Sequence, residues 1–179
     1  TVRRAVELAA EAEMPILNLH MNPGVYFTLP QGRVYLYERE GKRYEDRLCA
    51  LRDLVEREAP DGLTVCVENT SGFRPFEREG VELLLQSRRF GLTLDVGHWH
   101  ATGGADQALY EAHAGRIAHM HLHDALGRRD HLPLGQGEAD ISAALALARS
   151  CGCRALIEVK TAEALRASVA ALRSAALTR

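Results

Sequence analysis

From residue 14 onward the chain alternates between short apolar runs with strand character and longer runs with helical periodicity, and this alternation restricts the fold more than any other feature. The strand-like runs are MPILNLHMN, LTVCVENT, FGLTLDVGHWH, RIAHMHLHDA and CRALIEVK. Helical patterns follow in YEDRLCALRDLVEREA, FEREGVELLLQSRR (despite Gly80), ADQALYEAHA, ADISAALALARS and TAEALRASVAALRSAA, and one more helical segment precedes the first strand, over about residues 1–13. Strand-then-helix order predicts right-handed βαβ units and a parallel sheet covered by helices. One stretch breaks the rhythm: GVYFTLPQGRVYLYEREGKRY, residues 24–44, carries two strand-like runs around Pro30-Gln31-Gly32 and predicts an inserted β-hairpin at about residues 24–38. Its Tyr26, Phe27, Tyr35 and Tyr37 suit a lid that excludes water, with Arg33, Arg39, Lys42 and Arg43 a stacking surface for nucleic acid, or else a small satellite cluster at the rim or a dimer contact.

RIAHMHLHDA sets His119, His121 and His123 at every second position, on one side of a strand, with Ala118, Met120 and Leu122 on the other. A row of imidazoles can simply face water, so the other strands must decide. In a parallel barrel one strand face packs on helices and the other points inward. The helix-facing positions are Leu17 and Leu19, Val65 and Val67, Leu94 and Val96, Met120 and Leu122, Ile157 and Val159, all apolar. Opposite them, near each strand's carboxyl end, stand His20, Glu68, Asp95, His121 and Glu158, all metal-ligand or acid-base types. Charged groups in a barrel interior are costly unless paired or bound to a cation, and the carboxyl ends of strands are where barrel enzymes place their sites. The histidine strand therefore reads as one stave of a metal site.

Composition narrows the partners. A chain of 179 residues with 46% hydrophobic content can bury a core as a single domain, residues 1–179. Twenty-two Lys plus Arg against 24 Asp plus Glu give a net charge of −2, so no global field holds the chain on nucleic acid or an anionic membrane. No apolar run reaches the roughly eighteen residues of a membrane span, and no signal peptide is recognisable. Cys49, Cys66, Cys151 and Cys153 lack zinc-ribbon or thioredoxin spacing and read as reduced, packed thiols, which fits a cytoplasmic protein.

Taken in order and spacing, ILNLHMNPG, VCVENT, LDVGHWHATGG, HMHLHDALGRRDHLPLGQG and ALIEVK resemble the xylose isomerase-like TIM barrels, a superfamily of sugar phosphate isomerases and epimerases that also includes the apurinic endonuclease family. The resemblance implies an α/β fold of the (β/α)8 TIM-barrel type. Such barrels have eight strands and about 250 residues, so only the last five βα units are expected here. The N-terminal strands would be missing, and the chain would be either the carboxyl-terminal portion of a longer protein or a truncated product whose exposed sheet edge must pair with something else, for instance in a homo-oligomer. It also implies that Glu68, Asp95, His121 and Glu158 hold a divalent metal: manganese, magnesium, cobalt or zinc.

Two activities follow from the resemblance. In a metal-dependent isomerase or epimerase of a small sugar or sugar phosphate, Glu68 and Glu158 act as base and acid across an enediolate, and His98 contacts a substrate oxygen or supports a ligand. Arg128 and Arg129 would then meet a substrate phosphate or remain solvated, and Lys160 would reach a phosphate or pair with a rim carboxylate. The alternative is a metal-cluster phosphodiesterase like the apurinic endonucleases, with His20, His98 and His131 binding further ions. That family places an Asp two residues before its equivalent of His131, where this chain has Arg129, with Asp130 adjacent. The acidic balance also disfavours DNA. A third expectation is an inactive partial barrel that keeps metal as a structural feature.

Overall fold

The computed structural model describes residues 2–177. In chain order the elements are α1 (Val2–Glu11), β1 (Ile16–His20), β2 (Tyr26–Leu29), β3 (Gly32–Tyr35), α2 (Leu36–Arg39), α3 (Gly41–Glu58), β4 (Thr64–Glu68), α4 (Pro75–Leu85) and β5 (Phe90–Asp95). There follow α5 (Val96–Ala101), α6 (Gln107–Ala112), a 3-10 turn (Ala114–Arg116), β6 (Ile117–Leu122), β7 (Asp124–Leu126), β8 (Arg129–Leu132), α7 (Ile141–Cys151), β9 (Arg154–Ile157) and α8 (Ala162–Leu177). The main sheet has the strand order β1-β4-β5-β6-β9, the chain order of a partial (β/α)8 barrel. No helix among the described residues is long and apolar enough to cross a membrane. The chain forms two compact units, one up to Glu68 together with Phe73–Gly91, the other comprising Asn69–Gly72 and the chain from Leu92 onward.

In the first unit β1 pairs in parallel with β4, Leu17 opposite Val65 and His20 opposite Glu68. Helices α3 and α4 pack through Tyr44, Leu48, Val81 and Leu84, all buried. Gly80 belongs to this contact: a Cβ there would run into Leu48 and approach Met21 and Tyr44, so the absent side chain is what lets the helices close. That explains a glycine in a helix interior, where it otherwise costs about 1 kcal/mol. The hairpin strands β2 and β3 are antiparallel, with Tyr26 opposite Tyr35 and Leu29 opposite Gly32. After Tyr35 the chain leaves the extended path for the single helical turn α2, and Glu38 Oε2 accepts the Tyr35 N–H at 3.0 Å. The hairpin aromatics divide: Tyr35 is buried, with its ring 5.3 Å from that of Tyr26 and the Arg74 guanidinium 4.0 Å above it, while Phe27 stays 60% exposed.

In the second unit β5 and β6 pair in parallel, Leu94 opposite Met120 and Asp95 opposite His121, and β6 pairs with β9, Leu122 opposite Ile157. Leu94, Met120 and Leu122 are buried. FGLTLDVGHWH does not run on as a strand: β5 stops at Asp95 and Val96 begins α5, because the Asp95 carboxylate accepts the His98 backbone N–H at 2.7 Å and caps the helix. The Gly-, Pro- and His-rich stretch after β6, whose composition suits a loop, contains a second hairpin, β7 paired with β8. Buried Asp124 organises the segment beyond that hairpin, accepting backbone N–H groups from Ala125, Gly135 and Gly137 at 2.9 Å and Ala139 at 3.0 Å. Replacing its carboxylate, Asp124→Ala, leaves four amides without their acceptor, and should lower the free energy of unfolding by about 3 kcal/mol in urea titrations followed by circular dichroism.

Candidate metal centre

Asp95 stands where β5 gives way to α5, and its backbone is held before its side chain does anything. The Asn69 amide clasps it from both sides, Oδ1 accepting the Asp95 N–H at 2.8 Å and Nδ2 donating to the Asp95 carbonyl at 3.0 Å. Tyr110 fixes Asn69 in turn, its hydroxyl accepting the Asn69 N–H at 3.1 Å and donating to the Thr93 carbonyl at 2.7 Å. All of these groups are buried.

Around the carboxylate the imidazoles gather. His123, one residue past β6, lies with Nε2 2.8 Å from Asp95 Oδ1, and His121 Nδ1 is 3.7 Å from Oδ2. Burial alone would push the Asp95 carboxyl up. Attraction to the nearby His121 and hydrogen bonds from His123 and from the His98 backbone N–H outweigh it and hold the group down at about 2. Glu158 approaches the same point from just beyond β9, with Oε2 2.8 Å from His121 Nδ1. That contact is close enough for an ion pair but out of line for a hydrogen bond, and Oε2 is buried with no hydrogen-bond partner. Asp95, His121 and Glu158 each bring a ligand atom within 4.8 Å of the others. Two carboxylates and an imidazole converging at one point, Asp95 and His121 buried, Glu158 half-buried with one oxygen lacking a donor, are the donor set of a hard divalent cation, and the residues fit one.

A second group adjoins it. His98, His123 and His131 also bring ring nitrogens within 4.8 Å of one another; His123 and His131 stack at 4.2 Å, and His98 lies edge-on to both at 5.3 Å. The His131 backbone N–H donates to His123 Nδ1 at 2.8 Å. His123 is thereby fixed as the tautomer that carries its proton on Nε2 and gives it to Asp95. Both of its nitrogens are in use, so His123 supports Asp95 rather than offering a free lone pair. Gly97 makes room for it, since a Cβ at that position would overlap the His123 ring. Asp130 completes the cluster, with Oδ1 2.8 Å from His131 Nδ1 and Oδ2 3.6 Å from His98 Nε2. The hydrogen bond to His131 is the main reason its carboxyl lies below the ordinary range.

In the first unit Glu68 ends β4 fully buried; it accepts a hydrogen bond from Asn18 Nδ2 and lies 3.1 Å from Nε2 of the largely exposed His20. Arg129 and Lys160 line a cavity of about 360 Å³ with His131, and Arg128 lines another with His98 and Asp130. The sequence alone marks Glu68, Asp95, His121, Glu158, His20, His98 and His131, but not Asn18, Asn69, His123 or Asp130 as site residues. For His123 the signal is present, in the alternation that puts it on the face of His121. Asn69 acts through hydrogen bonds to Asp95, twenty-six residues away, and Asp130 through its neighbour His131 in a stretch that reads as a loop; periodicity reports neither.

Parallel strands that gather carboxylates and imidazoles at their carboxyl ends place a candidate site where barrel enzymes carry theirs. The chain belongs to the xylose isomerase-like TIM barrel family, whose model matches residues 1–175. Uncharacterized protein MJ1311 of Methanocaldococcus jannaschii is 26% identical over 169 residues, covering 89% of this chain and 55% of that protein, so the chain spans about half the length of this curated relative. Among solved structures, E. coli 3-keto-D-glucoside 4-epimerase YcjR matches with a TM-score of 0.69 at 17% identity, over 97% of this chain and 69% of its own. The IolI protein with a bound zinc atom matches with a TM-score of 0.65 at 20% identity, over 94% of this chain and 63% of its own. At these identities the likeness is one of fold.

The stability that ionised Asp95 contributes is complete above the ordinary carboxyl pKa of 3.8 and is lost as pH falls through about 2. Metal-free Asp95→Asn protein should therefore be less stable than wild type by about 2 kcal/mol near neutrality, and acid titration of the unfolding free energy should show that gap closing between pH 4 and 2.

Proposed function

We propose that the chain carries the metal-binding part of an isomerase or epimerase that acts on a small sugar, moving a proton on the carbon beside the carbonyl through an enediolate. The observation that carries this is the convergence of Asp95, His121 and Glu158 with one buried carboxylate oxygen lacking a donor. Family membership supports it, as do the fold likeness to a sugar epimerase and to a protein with bound zinc. Asp95, His121 and Glu158 would hold the ion, and Glu68, the fourth ligand implied by the family motif, would complete a three-carboxylate, one-imidazole shell suited to manganese, magnesium, cobalt or zinc.

When bound, such a cation polarises the substrate carbonyl and makes the neighbouring C–H acidic. The chain's own residues do the rest. Asp95, with its carboxyl held at about 2, stays ionised at any working pH and serves as a ligand and anchor. Glu158 is the base that takes the proton, because its Oε2 is committed to no donor. Glu68, steadied by Asn18 and His20, returns the proton as acid. His98, with Nδ1 3.4 Å from Asp95 Oδ2, is placed to steady a substrate oxygen beside the ion.

The histidine cluster favours a second reading, a metal-cluster phosphodiesterase, in which His98, His131 and Asp130 would take an additional ion. Elemental mass spectrometry of protein purified without chelator separates the two. Expected for the isomerase is about one ion per chain, retained in His131→Ala, whereas a hydrolase should hold two or three and lose about one in that variant. Glu158→Gln should strip the metal or abolish turnover on ketoses; full metal content with an unchanged rate would remove Glu158 from both roles.

A further inference from the structure

Beside the histidine cluster opens a cavity of about 440 Å³ that the chemistry above does not use. Thr70 and Ser71 line it from just past β4, His98 and Thr102 from α5 and its end, Arg128 and Asp130 from the β7–β8 hairpin. Ala101 and Ala105 complete the lining, and their methyl groups take little of the space. The volume lies within the range of small-molecule sites. His98 joins this cavity to the metal centre, since its Nδ1 is 3.4 Å from Asp95 Oδ2 and its Nε2 3.6 Å from Asp130 Oδ2.

The hydrogen-bonding capacity of the walls is mixed. Arg128 offers donors only, ionised Asp130 offers acceptors only, and the hydroxyls of Thr70 and Ser71 offer both. Thr102 Oγ1 donates to the His98 carbonyl at 2.8 Å, which leaves it an acceptor toward the cavity. Asp130 Oδ1 is engaged by His131 Nδ1 at 2.8 Å, and Oδ2 remains for a ligand. Sugar hydroxyls, each both donor and acceptor, match such a wall. A phosphate dianion brings acceptors and negative charge, and would meet the Asp130 carboxylate in a cavity with a single guanidinium. We infer that this cavity seats the hydroxyl-bearing tail of an unphosphorylated open-chain sugar and that Asp130 is the residue that rejects phosphate; the inference rests on the sugar isomerase reading above.

Calorimetric titration with a hexitol and with the same hexitol carrying a 6-phosphate, neither of which can react, reads the cavity directly. The hexitol should bind about tenfold more tightly than its phosphate. Asp130→Asn should erase most of that preference, and Thr70→Val, a change at a half-buried loop residue, should weaken the hexitol several-fold while keeping the preference. Equal or tighter binding of the phosphate, or no binding of the hexitol, overturns the assignment. Turnover assays on ketoses and ketose phosphates separate the two levels. Hexitol binding without metal-dependent turnover of any ketose refutes the isomerase reading, and a rate preference for ketose phosphates refutes the cavity assignment while leaving that reading intact.

Discussion

The ionised carboxylate of Asp95, withdrawn from water, is the constraint from which most of the second unit follows. A lone buried charge of this kind is prohibitively costly, and here it is compensated by a helix N-terminus and by imidazoles on two sides. Each compensating group has its own structural demand. The cap ends β5 and starts α5, His123 needs the absent side chain of Gly97, and the backbone clasp from Asn69 needs Tyr110 at its back. Removing the charge would make several of these arrangements unnecessary; keeping it makes them mutually dependent.

A division of labour runs along the β6 strand and its continuation. Successive same-face positions carry His119, His121 and His123, yet their neighbours give them different work: His121 faces Glu158 and Asp95, while His123 is locked between Asp95 and the backbone of β8. The next residue, Asp124, turns to another task and ties down the loop through Ala139. Four consecutive residues thus pass from a candidate metal ligand, through an apolar core residue and a supporting imidazole, to a loop anchor.

Much of this is legible in the sequence, because the signals concerned are local and periodic. Alternation in LTLD and HMHL assigns the buried apolar face and the polar face of β5 and β6, and the positions of Asp95 and His121 come with it. The features that stay hidden depend on groups far apart in the chain or on competition between local preferences. Asp95 is the last residue of a strand and also an excellent cap, and nothing in VGHWH alone says that capping wins over extension. Gly80 weakens a helix by propensity but admits Leu48, a residue thirty-two positions earlier, and only the packed pair reveals it. The β7–β8 hairpin is obscured by glycines and prolines that ordinarily mark a loop.

His131 has a positive φ of 54°, a left-handed setting uncommon outside glycine, and its amide donates to His123 Nδ1. Side chain and main chain of one residue therefore act in separate circuits: the imidazole pairs with Asp130, and the peptide group decides which nitrogen of a neighbouring ring carries hydrogen. Ordinary replacement of His131 deletes the first and leaves the second. The protonation pattern beside the candidate metal centre is consequently written into peptide geometry, where side-chain scanning is blind to it and only an amide-to-ester exchange at position 131 would reach it.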